Sequence, residues 1–206
     1  MKKQHISIQT LSGLAIITAI VVVLQLVGSQ IHFGPFSISL VLIPIVVGAA
    51  LYGPLAGAWL GFVFSVIVLI MDSALFMGIN AFGTVVTVLL KGTLAGLCAG
   101  FVYNAFKKWA FVFKNLESGK ESWQINLGVI LAAIVCPVVN TGLFLVGCAL
   151  FFLPTIREWG VGAGYTNVVG YMFLGLVGGN FLVELLINII LSPVIVQLIH
   201  LGRKHK

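Results

Sequence analysis

Two ionisable side chains lie deep inside apolar sequence, Lys91 and Glu184, and the amide and hydroxyl pair Asn140-Thr141 lies in a third apolar run. An ionisable group in a membrane-length apolar segment is costly unless it faces a cavity, water or a partner, so these positions are the first candidates for binding chemistry. Asn80, Thr84, Thr87 and Lys91 recur at spacings of four, three and four, which places them on one stripe of a helix. Asn180, Glu184 and Asn188 recur at spacings of four and form a second stripe. An ammonium among amides and hydroxyls can pair a carboxylate and satisfy hydroxyl and amide groups on a small ligand. The competing reading is purely structural: Lys91 bridges Glu184, and the amides bond neighbouring helices.

The elements that must position these residues are membrane helices. Only 8% of the 206 residues are charged and 60% are hydrophobic, too little polar surface to cover a soluble fold. A bilayer core takes roughly 20 helical residues per span, and six stretches approach that length: about 8–28, 38–53, 54–71, 82–106, 125–152 and 170–200. They fill the chain as one integral membrane domain over residues 1–206, all-α in class. Tyr52-Gly53-Pro54 breaks the second stretch from the third and predicts a tight helical hairpin. The first stretch starts like a signal peptide, but no convincing small-residue cleavage site ends it, and it is expected to be a retained helix.

Alternate threading puts Lys2, Lys3, Lys107, Lys108, Lys114, Lys120, Arg203, Lys204 and Lys206 on one side and Arg157 on the other. By the positive-inside rule both termini are cytoplasmic, so the net charge of +6 reports topology rather than nucleic-acid binding. From the opposite, outer side, Lys91, Asn140-Thr141 and Glu184 sit at depths of about 14, 17 and 20 Å at 1.5 Å per helical residue. Four polar positions on three helices thus share a level, and two polar stripes descend to it. The pattern predicts an outward-open cavity, closed below by Val194 to Leu198 and the lower fourth span.

Three outer segments offer lid material: 29–37 with His32 and Phe33, 72–80 with Phe76, and 153–170 with Arg157 and Trp159. The same aromatics would serve as an interfacial belt, and His32 reads as a surface loop residue. Cys98, Cys136 and Cys148 match no zinc or redox spacing and read as small apolar residues, so no metal or cofactor is expected. Phosphate-loop, dinucleotide, H-E-x-x-H and G-x-S-x-G motifs are missing, which leaves no ATP-hydrolysing module and no evident enzyme.

Ala15-Ile-Ile-Thr-Ala19 in the first span, and Ile43-Pro44 leading into Gly48-Ala-Ala-Leu-Tyr-Gly-Pro-Leu-Ala-Gly57, resemble the substrate-binding S components of energy-coupling factor (ECF) vitamin transporters. The resemblance implies a bacterial plasma-membrane subunit that captures a vitamin from outside. It implies a transmembrane coupling subunit and two ATPases as partners, with Ala15 and Ala19 as the docking residues and Gly13 and Thr18 beside them. Among the family's ligands, the lysine with its amides and hydroxyls suits pantothenate, with its carboxylate, amide and two hydroxyls. Riboflavin and pyrimidine- or pyridoxine-like vitamins are the alternatives, with Phe76, Phe82, Trp159 and Phe173 supplying stacking. The rival from another class is a stand-alone proton- or ion-coupled carrier using Lys91 and Glu184 as its relay. Carriers usually show internal repeats, and the two halves of this chain do not match.

Overall fold

Helix α1, Ile8–Gly28, takes the bounds expected from its apolar run. It exposes most of its surface: Ile16, Ile20 and Val23 face outward, and only Val21, Gln25 and Gly28 are buried. The computed structural model describes residues 8–30, 32–33, 36–37, 40–114 and 123–204. Lys2, Lys3, Lys120 and Lys206 of the charge argument lie outside the described residues, as do Gly34 and Pro35 of the first outer segment.

After α1 a two-residue antiparallel ladder joins β1, His32–Phe33, to β2, Phe36–Ser37. Helix α2, Leu42–Tyr52, then meets α3, Pro54–Met71, at the expected breaker. Gly53 has φ 98° and ψ 175°, a left-handed region open to glycine, and Pro54 starts α3 with a backbone that needs no N–H donor there. At 11 residues α2 is about 16 Å long, roughly half a bilayer core.

The short α4, Ala74–Ile79, leads into α5, Ala81–Lys114, the longest helix. Beyond it come α6, Trp123–Phe151, and α7, Leu153–Gly162. A turn of helix α8, Val168–Gly170, continues as the π-helical segment Tyr171–Leu176 and ends before α9, Gly178–Lys204. Among the described residues α1, α3, α5, α6 and α9 are long and apolar enough to cross a membrane. The chain is an all-α, multi-pass membrane protein.

Small residues set the spacing at the centre. On α3, Gly57 and Gly61 lie against the backbone carbonyls of Gly96 and Gly92 on α5, so that a methyl group at any of the four would strike backbone. In lipid, where helices have no hydrophobic drive to associate, such close approach supplies the packing energy. On the other side of α5, Thr87 packs on Gly147 and Phe106 on Gly128, both of α6.

The inner half of the bundle is apolar and closely packed. Ala95, Ala99 and Tyr103 of α5 pack with Val129, Ala132 and Ala133 of α6 and with Ile195 and Ile199 of α9. The closure expected over Val194 to Leu198 and the inner part of α5 centres on Ile195, which is fully buried, and extends to Ile199, whereas Val194 and Leu198 themselves are nearly half exposed. One residue rotates a helix by 100°, enough to exchange an inward face for a lipid-facing one.

Candidate ligand-binding cavity

Above that apolar layer a cavity enclosing about 790 Å³ of empty space, its mouth included, opens between α3, α5, α6 and α9. Thr84, Thr87 and Lys91 reach it from α5, Asn140 and Thr141 from α6, and Asn180 and Glu184 from α9. The two polar stripes and the Asn-Thr pair therefore share one wall. Asn80 stands apart: its Oδ1 accepts from Gly83 N at 2.9 Å and its carbonyl accepts from Thr84 Oγ1 at 2.8 Å, so it caps the start of α5. Asn188, one turn below Glu184, is buried and donates to the Glu184 carbonyl at 2.8 Å, outside the cavity.

Lys91 Nζ lies 5.1 Å from the centroid of the Phe144 ring, close enough for a cation–π contact. The Glu184 side chain is buried, and its Oε1 accepts from Asn180 Nδ2 at 3.3 Å. Several acceptors on or beside the cavity have no hydrogen-bond partner among the described residues: Thr87 Oγ1, Asn140 Oδ1 and Asn180 Oδ1. Thr87 and Asn140 are each only 5% exposed. Buried polar atoms are normally satisfied, so this cluster marks a place where a ligand or water completes the bonding.

Sequence reasoning missed the rest of the wall. Asp72 and Ser73 at the end of α3, and Phe64, Phe144, Phe152 and Phe181, line the cavity beside Phe76, which the sequence already offers as lid and stacking material. Phe64, Val68 and Asp72 stand four apart on α3, as do Asn140 and Phe144 on α6, and that periodicity was the available signal. Phe82 and Phe173, expected as stacking groups, are exposed and do not line the cavity.

Two of the three outer segments are largely helical: 72–80 contains α4 and 153–170 contains α7 and α8. Phe76, on α4, meets Phe144 and Phe152 edge-on at 5.6 and 5.1 Å between centroids, and meets Trp159 of α7 at 5.9 Å. Phe76 thus roofs the cavity and Trp159 backs it. Arg157 is exposed and does not line the cavity, and the Phe33 side chain lies outside what is described. Cys136 and Cys148 are buried, Cys98 is half-buried, and all three are free thiols.

On the outward face of α1, Ala15 and Ala19 are exposed, one turn apart. Their neighbours are committed elsewhere. Gly13 packs against the Tyr52 hydroxyl, and the Thr18 hydroxyl donates to the Leu14 carbonyl at 2.8 Å while accepting from Trp59 Nε1 at 3.3 Å.

The family model described as "ECF transporter, substrate-specific component" matches residues 10–196, nearly the whole chain. No curated protein and no solved structure matches significantly.

Proposed function

We propose, from the premise that this chain belongs to the family of ECF transporter substrate-specific components, that it captures a vitamin-class small molecule in the cavity beneath Phe76. It is a transporter component and a multi-pass protein of the cell membrane. The observation that carries the capture reading is the convergence of Thr84, Thr87, Lys91, Asn140, Thr141, Asn180 and Glu184 from three helices on one cavity. Thr87 Oγ1, Asn140 Oδ1 and Asn180 Oδ1 lack hydrogen-bond partners among the described residues, and its inner end is sealed by alanines and isoleucines. The charge bias of the loops directs its mouth outward.

Transport would then need partners. The ECF resemblance implies a transmembrane coupling subunit and two ATPases, with Ala15 and Ala19 of α1 as the docking surface. Small exposed side chains on a helix that buries only Val21, Gln25 and Gly28 let another helix approach closely. Co-expression with such a module tests this: co-purification and ATP-dependent uptake are expected. Uptake by the chain alone in proteoliposomes, driven by an ion gradient, would establish the carrier reading with Lys91 and Glu184 as relay.

The vitamin is the finer question. Pantothenate suits a wall dominated by Lys91, but Asp72 adds a second carboxylate to that wall and five phenylalanines line it. These two features weigh toward the ring-bearing alternatives.

A further inference from the structure

The roof of the cavity hangs from a joint of two residues. Asp72 closes α3 by donating its backbone N–H to the Val68 carbonyl at 2.9 Å, and α4 begins at Ala74. Asp72 and Ser73 stand between the two helices, with ψ of −4° and 6°, and both line the cavity. The Ser73 hydroxyl donates back to the Leu69 carbonyl at 2.6 Å, and the Ser73 carbonyl accepts from Met77 N at 2.9 Å. The joint thus ties the end of α3 to the first turn of α4, which carries Phe76. A rotation at Asp72 or Ser73 swings that ring away from Phe144 and Phe152, and lids commonly pivot on a few such residues at element ends.

A third helix also holds the joint. Gln25 of α1 is fully buried, and its Nε2 donates to Asp72 Oδ2 at 3.0 Å. A carboxylate accepts, so this bond fixes which way the amide points. Gln25 Oε1 is then left without a hydrogen-bond partner among the described residues. Buried amides are normally satisfied at both ends, and an apolar side chain would pack α1 without the cost of burying an unmet acceptor. What the amide adds over such a side chain is its direct hold on Asp72. Val21 and Gly28, the other buried residues of α1, contribute packing only.

We infer that Gln25 is a positioning residue for capture: through Asp72 it pins the joint of the α4 roof, so that the closed place of Phe76 depends on the seating of α1. The inference rests on the capture reading above and names what holds that site shut. A Gln25 variant keeps the other interactions of Asp72 and loses the restraint from α1. Coupling of this kind is reciprocal: displacing the outer end of α1 loosens the roof, and opening the roof loosens α1.

Thiol labelling of the purified full-length protein in detergent, with no vitamin added, reads the roof directly. Thr141→Cys places a thiol on the cavity wall, and its reaction with N-ethylmaleimide is followed by peptide mass spectrometry, which resolves it from Cys98, Cys136 and Cys148. Gln25→Leu should speed labelling at position 141 tenfold or more. Val21→Ala, which trims the same buried stripe of α1 one turn away and leaves the Asp72 bond in place, should change the rate less than twofold. Phe76→Ala should speed labelling as well, and adding Gln25→Leu to it should raise the rate less than twofold further. Gln25→Met, which also lacks the donor, replaces Gln25→Leu if the latter does not fold; failure of both to fold makes the bond a structural one and overturns the inference. An unchanged rate in the Gln25 variant, an equal effect of Val21→Ala, no effect of Phe76→Ala, or a full tenfold gain on the Phe76→Ala background also overturns it. Each of these outcomes leaves the capture reading standing, because that reading is judged by vitamin binding to the protein with Gln25 intact.

Discussion

Gln25 Nε2 donates to Asp72 Oδ2 at 3.0 Å, joining the most exposed helix of the bundle to the wall of its cavity. Gln25 is fully buried on α1, and Asp72 closes α3. The bond links the surface proposed for docking with the site proposed for binding, since Ala15 and Ala19 lie on the same helix.

Replacing Gln25 by Leu removes a donor from a carboxylate in a buried setting. Losing one partner of such a hydrogen bond costs about 1–3 kcal/mol. Thermal unfolding in detergent should show the variant destabilised by that amount, and an unchanged midpoint would mean that the bond contributes nothing to the fold.

At the docking face, Ala15→Trp or Ala19→Trp should block approach of a partner helix while leaving the cavity untouched, because neither residue lines it. Ligand affinity is expected to equal that of the wild type, with uptake by the co-expressed complex abolished. Undiminished uptake in both variants would remove α1 as the docking surface.

Asn140→Ala separates a ligand contact from a helix–helix contact. If the amide bonds the ligand, affinity falls by about 1–3 kcal/mol. If it bonds a neighbouring helix, the change is near the ~0.6 kcal/mol average for such bonds in membranes and falls on stability instead. Titration and thermal unfolding of the same variant read the two terms separately.

The glycine seam between α3 and α5 gives a prediction about the fold. A side chain at Gly61 or Gly96 meets the facing carbonyl of Gly92 or Gly57. Gly61→Val should cost at least the upper end of the roughly 1–3 kcal/mol typical of overpacking, since backbone cannot swing aside. A variant as stable as the wild type in detergent would contradict the close crossing.

Much of this was legible in the sequence because lipid simplifies the code. Apolar length marks the spans, and a polar residue inside a span has few reasons to be there, so Thr84, Lys91, Asn140 and Glu184 stood out and share one cavity. Phenylalanine carries no such mark. Phe144 and Phe181 line the cavity while Phe82 and Phe173 are exposed, and only helix rotation separates the two groups. Asp72 was missed for a related reason: at the end of a span it reads as a loop residue, and its place on the wall follows from the way α3 crosses α5 at the glycine seam. The inner closure was legible as the run Val194 to Leu198, but that Ile195 rather than Val194 or Leu198 faces the core was not, because an apolar run on α9 has no internal marker of phase. Gln25 was legible in principle, as an amide deep within the first span, and its partner was not.

The most direct test of the central claim is equilibrium binding by the purified chain alone, in detergent, against a panel of vitamins, paired with Thr141→Trp, which places an indole in the cavity. One vitamin should bind with one-to-one stoichiometry, and Thr141→Trp should abolish that binding while the protein stays folded. Absence of binding across the panel, or binding that survives with the cavity filled, would contradict the account.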